Sequence, residues 1–212
     1  MALHTSSVHF EGSHSANMAA LLEQLKYRLA GPPVIVHTAE AAVELLDRKT
    51  GNRNIVRKAA YESKGWTYLH DPEMVVMTED GVLSEYASKN AIRVFSWICE
   101  GVSRSYGFKM FAPGVVRDVL AVGGKIVTNG GARVSEEGEV NWGACSERDV
   151  MRIAERLGAP FDGFSNDRAY EIYTLDESQM PVPDPSGMPT KMPFRSEDLL
   201  VRFVKRPWWK LW

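Results

Sequence analysis

Four apolar segments in the middle of the chain follow one another through connections too short for a parallel sheet. They span residues 94–99, 106–111, 115–122 and 125–128, and glycine-containing turns join them. A parallel crossover needs a dozen or more residues, whereas turns of this kind are typical of β-hairpins. The four segments therefore predict an antiparallel meander.

The first fifty residues predict the order strand, helix, strand, helix. Residues 2–10 form the first predicted strand, and an apolar stripe at helical spacing follows Ser13 or Ser15, either of which can cap a helix. Residues 34–36 predict a short buried strand, and Thr38 is placed to cap the second helix. This alternation puts helices beside the sheet from the start of the chain.

Further elements are predicted on either side of the meander. Residues 66–69 and 74–77 are strand-like, and a short helix begins near Asp80. Ser146 and Asp149 have the spacing of a capping box at the start of a last helix. We expect buried side chains at the apolar positions of the periodic segments, namely Leu21, Leu25, Val94, Trp97, Val119, Ile153 and Leu157.

These elements together indicate an α+β fold, with a largely antiparallel sheet and three to four helices packed against it. Residues 1–175 are predicted to form one globular domain. Residues 176–212 are predicted to form a C-terminal arm, which consists of a proline-rich loop, a final strand at residues 199–204 and a tryptophan-rich tail.

Composition limits the kinds of partner and the cellular compartment that the sequence predicts. The formal net charge is −2, so the bulk charge predicts neither a nucleic-acid nor a membrane partner. No apolar run approaches the roughly 18 residues of a membrane-spanning helix, and the N-terminus lacks the pattern of a secretory signal. Cys99 and Cys145 lie in apolar contexts and are predicted to be free thiols, so we expect a cytoplasmic protein.

No motif in the sequence specifies a reaction, a metal or a cofactor. The pair His70-Asp71 resembles the paired ligands of the HD phosphohydrolases, but that family places the pair on a helix, and Pro72 predicts a turn here. Cys145 precedes a helix N-terminus, a location that lowers the pKa of a thiol. An enzyme would therefore need a site assembled from distant residues around Cys145 or His70.

Two segments carry acidic residues but no lysine or arginine: the first lies between Lys64 and Lys89, and the second lies between Arg133 and Arg148. The acidic residues that we assign to partner binding are Asp71, Glu73, Glu79 and Asp80 in the first segment, and Glu136, Glu137 and Glu139 in the second. The segments are either solvated loops or an acidic face for a basic partner. Trp208 and Trp209, in the basic tail, are a further candidate contact.

The leading hypothesis is a non-enzymatic binding protein, and its most concrete version is a bacterial immunity protein that neutralises a toxin through its acidic loops. One alternative is the enzyme with a dispersed site. The other is a structural or assembly subunit that docks through the C-terminal arm. A broad acidic face would favour the first hypothesis, and a deep pocket lined by His, Cys and carboxylates would favour the second.

Overall fold

The computed structural model describes residues 4–178, apart from residues 49, 50, 53, 74, 75 and 162 and the side chain of residue 77. The described residues form ten strands and four α-helices. The strands are β1 (His4–Glu11), β2 (Arg28–Leu29), β3 (Val34–Val36), β4 (Ile55–Ser63), β5 (Trp66–His70), β6 (Val94–Glu100), β7 (Ser105–Ala112), β8 (Val115–Val122), β9 (Lys125–Gly130) and β10 (Tyr170–Asp176). The helices are α1 (Ser15–Gln24), α2 (Ala39–Asp47), α3 (Asp80–Asn90) and α4 (Glu147–Leu157).

All ten strands belong to one antiparallel sheet, so the α+β prediction is confirmed. The strand order is β2-β10-β4-β5-β1-β6-β7-β8-β9, and β3 also pairs with β10. The predicted meander is the run from β6 to β9, in which each strand pairs with the next. Strand β1 lies at the centre of the sheet, between β5 and β6.

The helices cover both faces of this sheet, because successive side chains of each strand point to opposite faces. Helices α2 and α4 pack over one core, whose strand residues include Tyr68 and Phe95. Helices α1 and α3 pack over the other core, whose strand residues include the neighbouring Leu69 and Val94. We call these the α4 face and the α3 face. The seven predicted core residues are all buried.

Local capping explains where α2 and α4 begin. The Thr38 side chain accepts a hydrogen bond from the Ala41 N–H, as the sequence predicts. The Asp149 carboxylate accepts hydrogen bonds from the N–H and the hydroxyl of Ser146, and Gly158 ends α4 with a positive φ of 79°. Helix α1 differs, since its N-cap is His14 rather than either serine.

Some sequence predictions are wrong in detail. Residues 76–78 form a 3₁₀ turn and not part of a strand, and residues 74 and 75 lie outside the described residues. Strand β3 exists where it was predicted, but Ile35 is 60% exposed because β3 lies at the edge of the sheet. Strands β4 and β10 were not predicted at all. The final strand predicted at 199–204 and the tryptophan tail lie outside the described residues, so the proposed division at residue 175 stays a prediction.

Candidate functional site

Asp71, the first acidic residue of the first acidic segment, is buried in the protein interior. Lys58, on β4, points into the α3 face, and its Nζ lies 2.5 Å from Oδ1 of Asp71 and 2.8 Å from Oε2 of Glu73. The side chains of Lys58 and Asp71 have no exposed surface, whereas that of Glu73 is 37% exposed. The Asp71 carboxylate is therefore inaccessible to a partner, and Glu73 reaches the surface with its cation beneath it.

Burial and charge together set the ionisation of this cluster. Burial alone would lower the pKa of Lys58, but the neighbouring charges of Asp71 and Glu73 raise it well above its usual value. Tyr27 covers the lysine, with its ring centroid 5.4 Å from Nζ, and burial raises the pKa of its hydroxyl. Lys58 is consequently a charged structural group and not a proton donor or acceptor near pH 7.

The later residues of the first segment repeat this arrangement on helix α3. Lys109, on β7, donates a hydrogen bond to Oδ1 of Asp80 over 2.6 Å, and its side chain is only 18% exposed, against 50% for Asp80. Glu79 is half-buried at the N-cap of the helix, and Glu85 is exposed six residues further on. On this surface the carboxylates stand outside and their counter-cations lie behind them.

The second acidic segment contains a fully buried carboxylate. Arg117, on β8, donates to both oxygens of Glu137, over 2.7 and 2.9 Å. The indole N–H of Trp142 and the backbone N–H of Val134 donate to the same carboxylate. Burial alone would raise the pKa of Glu137, but these donors hold it below its ordinary value. Glu137 anchors the segment and has no exposed surface to offer a partner.

The two acidic segments lie on opposite faces of the sheet. Consecutive residues of β8 show this: Arg117 binds Glu137 on the α4 face, whereas Asp118 lies near Lys109 and Asp80 on the α3 face. Glu136 is half-buried and Glu139 is exposed, both on the α4 face. A single flat partner surface therefore cannot meet both segments, and their residues form two separate sets.

The residues proposed for a dispersed enzyme site are not brought together. His70 ends β5, whereas Cys145 packs against the α4-face core beyond β6, and strand β1 separates β5 from β6. Burial, and then the charge of Lys58, lower the pKa of His70 to about 4. Burial raises the pKa of the Cys145 thiol, which opposes the activation that its position before α4 suggested.

Cys99 and Cys145 are both free thiols, as predicted. Within the described part of the chain, no group of three or more His, Cys, Asp or Glu side chains is arranged to hold a metal ion. None of the described helices is both long enough and apolar enough to cross a membrane. The candidate contact residues Trp208 and Trp209 lie outside the described residues.

The sequence analysis did not identify the buried basic residue of either ionic network, which is Lys58 beside Asp71 and Arg117 beside Glu137. Lys58 and Arg117 occupy inward positions in strands, where an unpaired charge would be very costly. Arg117 and Asp118 are the two charged residues of the otherwise apolar strand Val115–Val122, and a charge at the inward position of Arg117 is a signal that a buried carboxylate lies nearby. Comparison with protein-family models, with curated proteins and with solved structures finds no match for this chain.

Proposed function

We propose that this chain is a non-enzymatic protein that binds a basic protein partner through the acidic surface of its α3 face. The residues that would meet the partner are Glu73, Glu79, Asp80 and Glu85. The most concrete version is a bacterial immunity protein that works in the cytoplasm and occludes the active surface of a toxin. Asp71 and Glu137 take structural roles in this proposal.

One observation carries the proposal, which is that the acidic side chains of this surface are more exposed than the cations that balance them. Lys58 and Lys109 are 0% and 18% exposed, whereas Glu73 and Asp80 are 37% and 50% exposed. A protein approaching from solvent meets the carboxylates first, because the ammonium groups lie behind them. Such a surface attracts a basic partner at long range and repels acidic ones.

The test begins with capture of the tagged protein's partner from cells of the native host, followed by measured association rates. Reversal of two charges, Glu79→Lys with Asp80→Lys, should lower the association rate constant about tenfold or more at low salt. The difference should shrink as salt rises to about 1 M, where the Debye length is only about 3 Å. Glu155→Lys, an exposed reversal on the α4 face, is the matched control and should leave the rate nearly unchanged.

For the immunity version, the captured partner should be toxic to cells that lack this protein, and co-expression of the wild-type chain should protect them. The double reversal should protect less well at equal protein levels. A partner with an acidic contact surface, or a basic partner whose association ignores both salt and the reversals, would contradict the proposal.

A further inference from the structure

A cleft of about 410 Å³ lies on the other side of the molecule, between helix α4 and the segment 137–144. This α4 cleft is within the size range of small-molecule sites. Its walls are mostly charged or polar, and the side chains that matter are Glu137, Glu139, Asn141, Asp149, Arg152 and Arg156. A lining of this kind suits a small charged ligand and not an apolar one.

Two of the acidic residues in the α4 cleft already have partners in the protein: Glu137 has a counter-charge, and Asp149 has neutral hydrogen-bond donors. Both oxygens of Glu137 accept hydrogen bonds from Arg117, and Asp149 accepts two from Ser146 at the start of α4, where the helix dipole also favours its charge. These carboxylates therefore contribute less to what the cleft attracts than their number suggests.

Two guanidinium groups and one carboxylate remain for a ligand. Among the described residues, Arg152 makes no ion pair or side-chain hydrogen bond, and it is exposed. Arg156, one turn further along α4, donates only to the backbone carbonyl of Glu136. Glu139 is also exposed and forms no ion pair with the described residues. The free groups thus carry two positive charges and one negative charge.

The wall opposite α4 is held in place before any ligand arrives. Four hydrogen bonds fix the Glu137 carboxylate, including one from the indole N–H of Trp142. Gly138 has a φ of +53°, and a Cβ there would lie 2.5 Å from Nη1 of Arg156, so the guanidinium packs directly on the glycine backbone. Because this wall is already ordered, binding has mainly the free side chains of the cleft to order.

We propose that the α4 cleft binds a small acidic amino acid, whose two carboxylates bind Arg152 and Arg156 and whose ammonium group binds Glu139. Such a ligand carries two negative charges and one positive charge, which is the complement of the free groups. Arginine suits carboxylates because its planar guanidinium can donate two parallel hydrogen bonds. This inference does not depend on the proposed basic partner, because that partner would bind the opposite face.

The experiment is calorimetric titration of the purified full chain with L-glutamate and L-aspartate, and with glutarate and L-glutamine as related probes. At least one of the two acidic amino acids should bind saturably, and more tightly than either related probe. Arg152→Gln should weaken that binding about tenfold or more, because a charge-assisted hydrogen-bonded pair is lost. Arg148→Gln, an exposed change on the same helix outside the cleft, should bind as the wild type does.

Two further readouts locate the ligand. Glu139→Gln should remove the preference for glutamate over glutarate, whereas Glu155→Gln should preserve it. The indole N–H resonance of Trp142, assigned with Trp142→Phe, should shift on titration because that group hydrogen-bonds to Glu137 in the cleft wall. Failure of both acidic amino acids to bind saturably, equal binding by the Arg152 and Arg148 variants, or binding that leaves Trp142 unshifted would each overturn the proposal.

Discussion

The buried pair of Lys58 and Asp71 makes a quantitative prediction about stability. Both side chains are fully buried, and Nζ and Oδ1 are 2.5 Å apart. Removal of one member of a buried ion pair strands the other charge in the interior, which typically costs about 3–5 kcal/mol. Lys58→Met should fall within this range, because Asp71 then keeps its full burial and loses its cation. Asp71→Leu should lie near the lower end, because Glu73 still binds the lysine.

The double variant, Lys58→Met with Asp71→Leu, should be much less destabilised than the sum of the two single changes. Replacement of both charges by apolar side chains leaves neither charge stranded, and residues in direct contact couple by up to about 3 kcal/mol. We expect a coupling of about 2–3 kcal/mol. Glu73→Gln is the control for a partly exposed partner of Lys58. It should lower the free energy of unfolding by about 1 kcal/mol or less, because Glu73 is partly solvated.

The assay is urea unfolding at pH 7, followed by tryptophan fluorescence, with the slope against urea checked for constancy across the variants. If Lys58→Met does not fold, recovery of folding in the double variant carries the same information. A coupling below about 0.5 kcal/mol would refute the reasoning, since that is what independent sites show. A cost below about 1 kcal/mol for Lys58→Met would refute it as well.

Two further stability predictions follow from buried groups outside this pair. His70 has its pKa lowered to about 4, against about 6.5 when unfolded, so its contribution is complete above pH 6.5 and is lost as pH falls towards 4. Wild type should therefore lose about 3 kcal/mol more than His70→Phe over that range in urea unfolding, and parallel curves would contradict this. At Gly107 a Cβ would lie 2.3 Å from the Val119 carbonyl oxygen, so Gly107→Ala should lower the free energy of unfolding by about 1–3 kcal/mol. Gly81→Ala, in open space on α3, should be neutral or stabilising, and equal losses for the two alanine variants would contradict the steric argument.

Elements whose ends are determined locally could be predicted from the sequence. Helix α4 is such a case, since Ser146, Asp149 and Gly158 lie within the helix or directly beside it and determine its start and end. The meander from β6 to β9 is another, because short turns leave antiparallel pairing as the only option.

Strand β4 could not be predicted in this way, because Lys58 occupies an inward position. A lysine in the middle of a segment argues against a buried strand until its partners are known, and those partners come from the end of β5 and beyond. Strand β10 is different. Its sequence YEIYTLD is rich in β-branched and aromatic residues, so β propensity alone is a sufficient signal for this strand.

The candidate site shows the same division between local and distant information. Sequence counts treat every carboxylate of an acidic segment alike, yet Asp71 and Glu137 are buried while Glu79, Asp80 and Glu139 reach solvent. The difference depends on cations carried by distant strands, Lys58 for the first segment and Arg117 for the second. Clusters of acidic residues therefore predicted where charge lies along the chain but not which charges face outwards.

The two buried ionic networks also explain how this protein can present charges in fixed positions. Each network ties an irregular segment to the sheet: Lys58 holds the chain after β5, and Arg117 holds the segment that forms one wall of the α4 cleft. Loops are normally the most mobile parts of a fold, and ordering them on binding reduces affinity. Here the anchored parts of these segments are ordered during folding, so a ligand would have mainly the exposed side chains beside each network to order. A buried ion pair is weak evidence for stability in itself, and it is better understood as a device that specifies one arrangement of the groups around it.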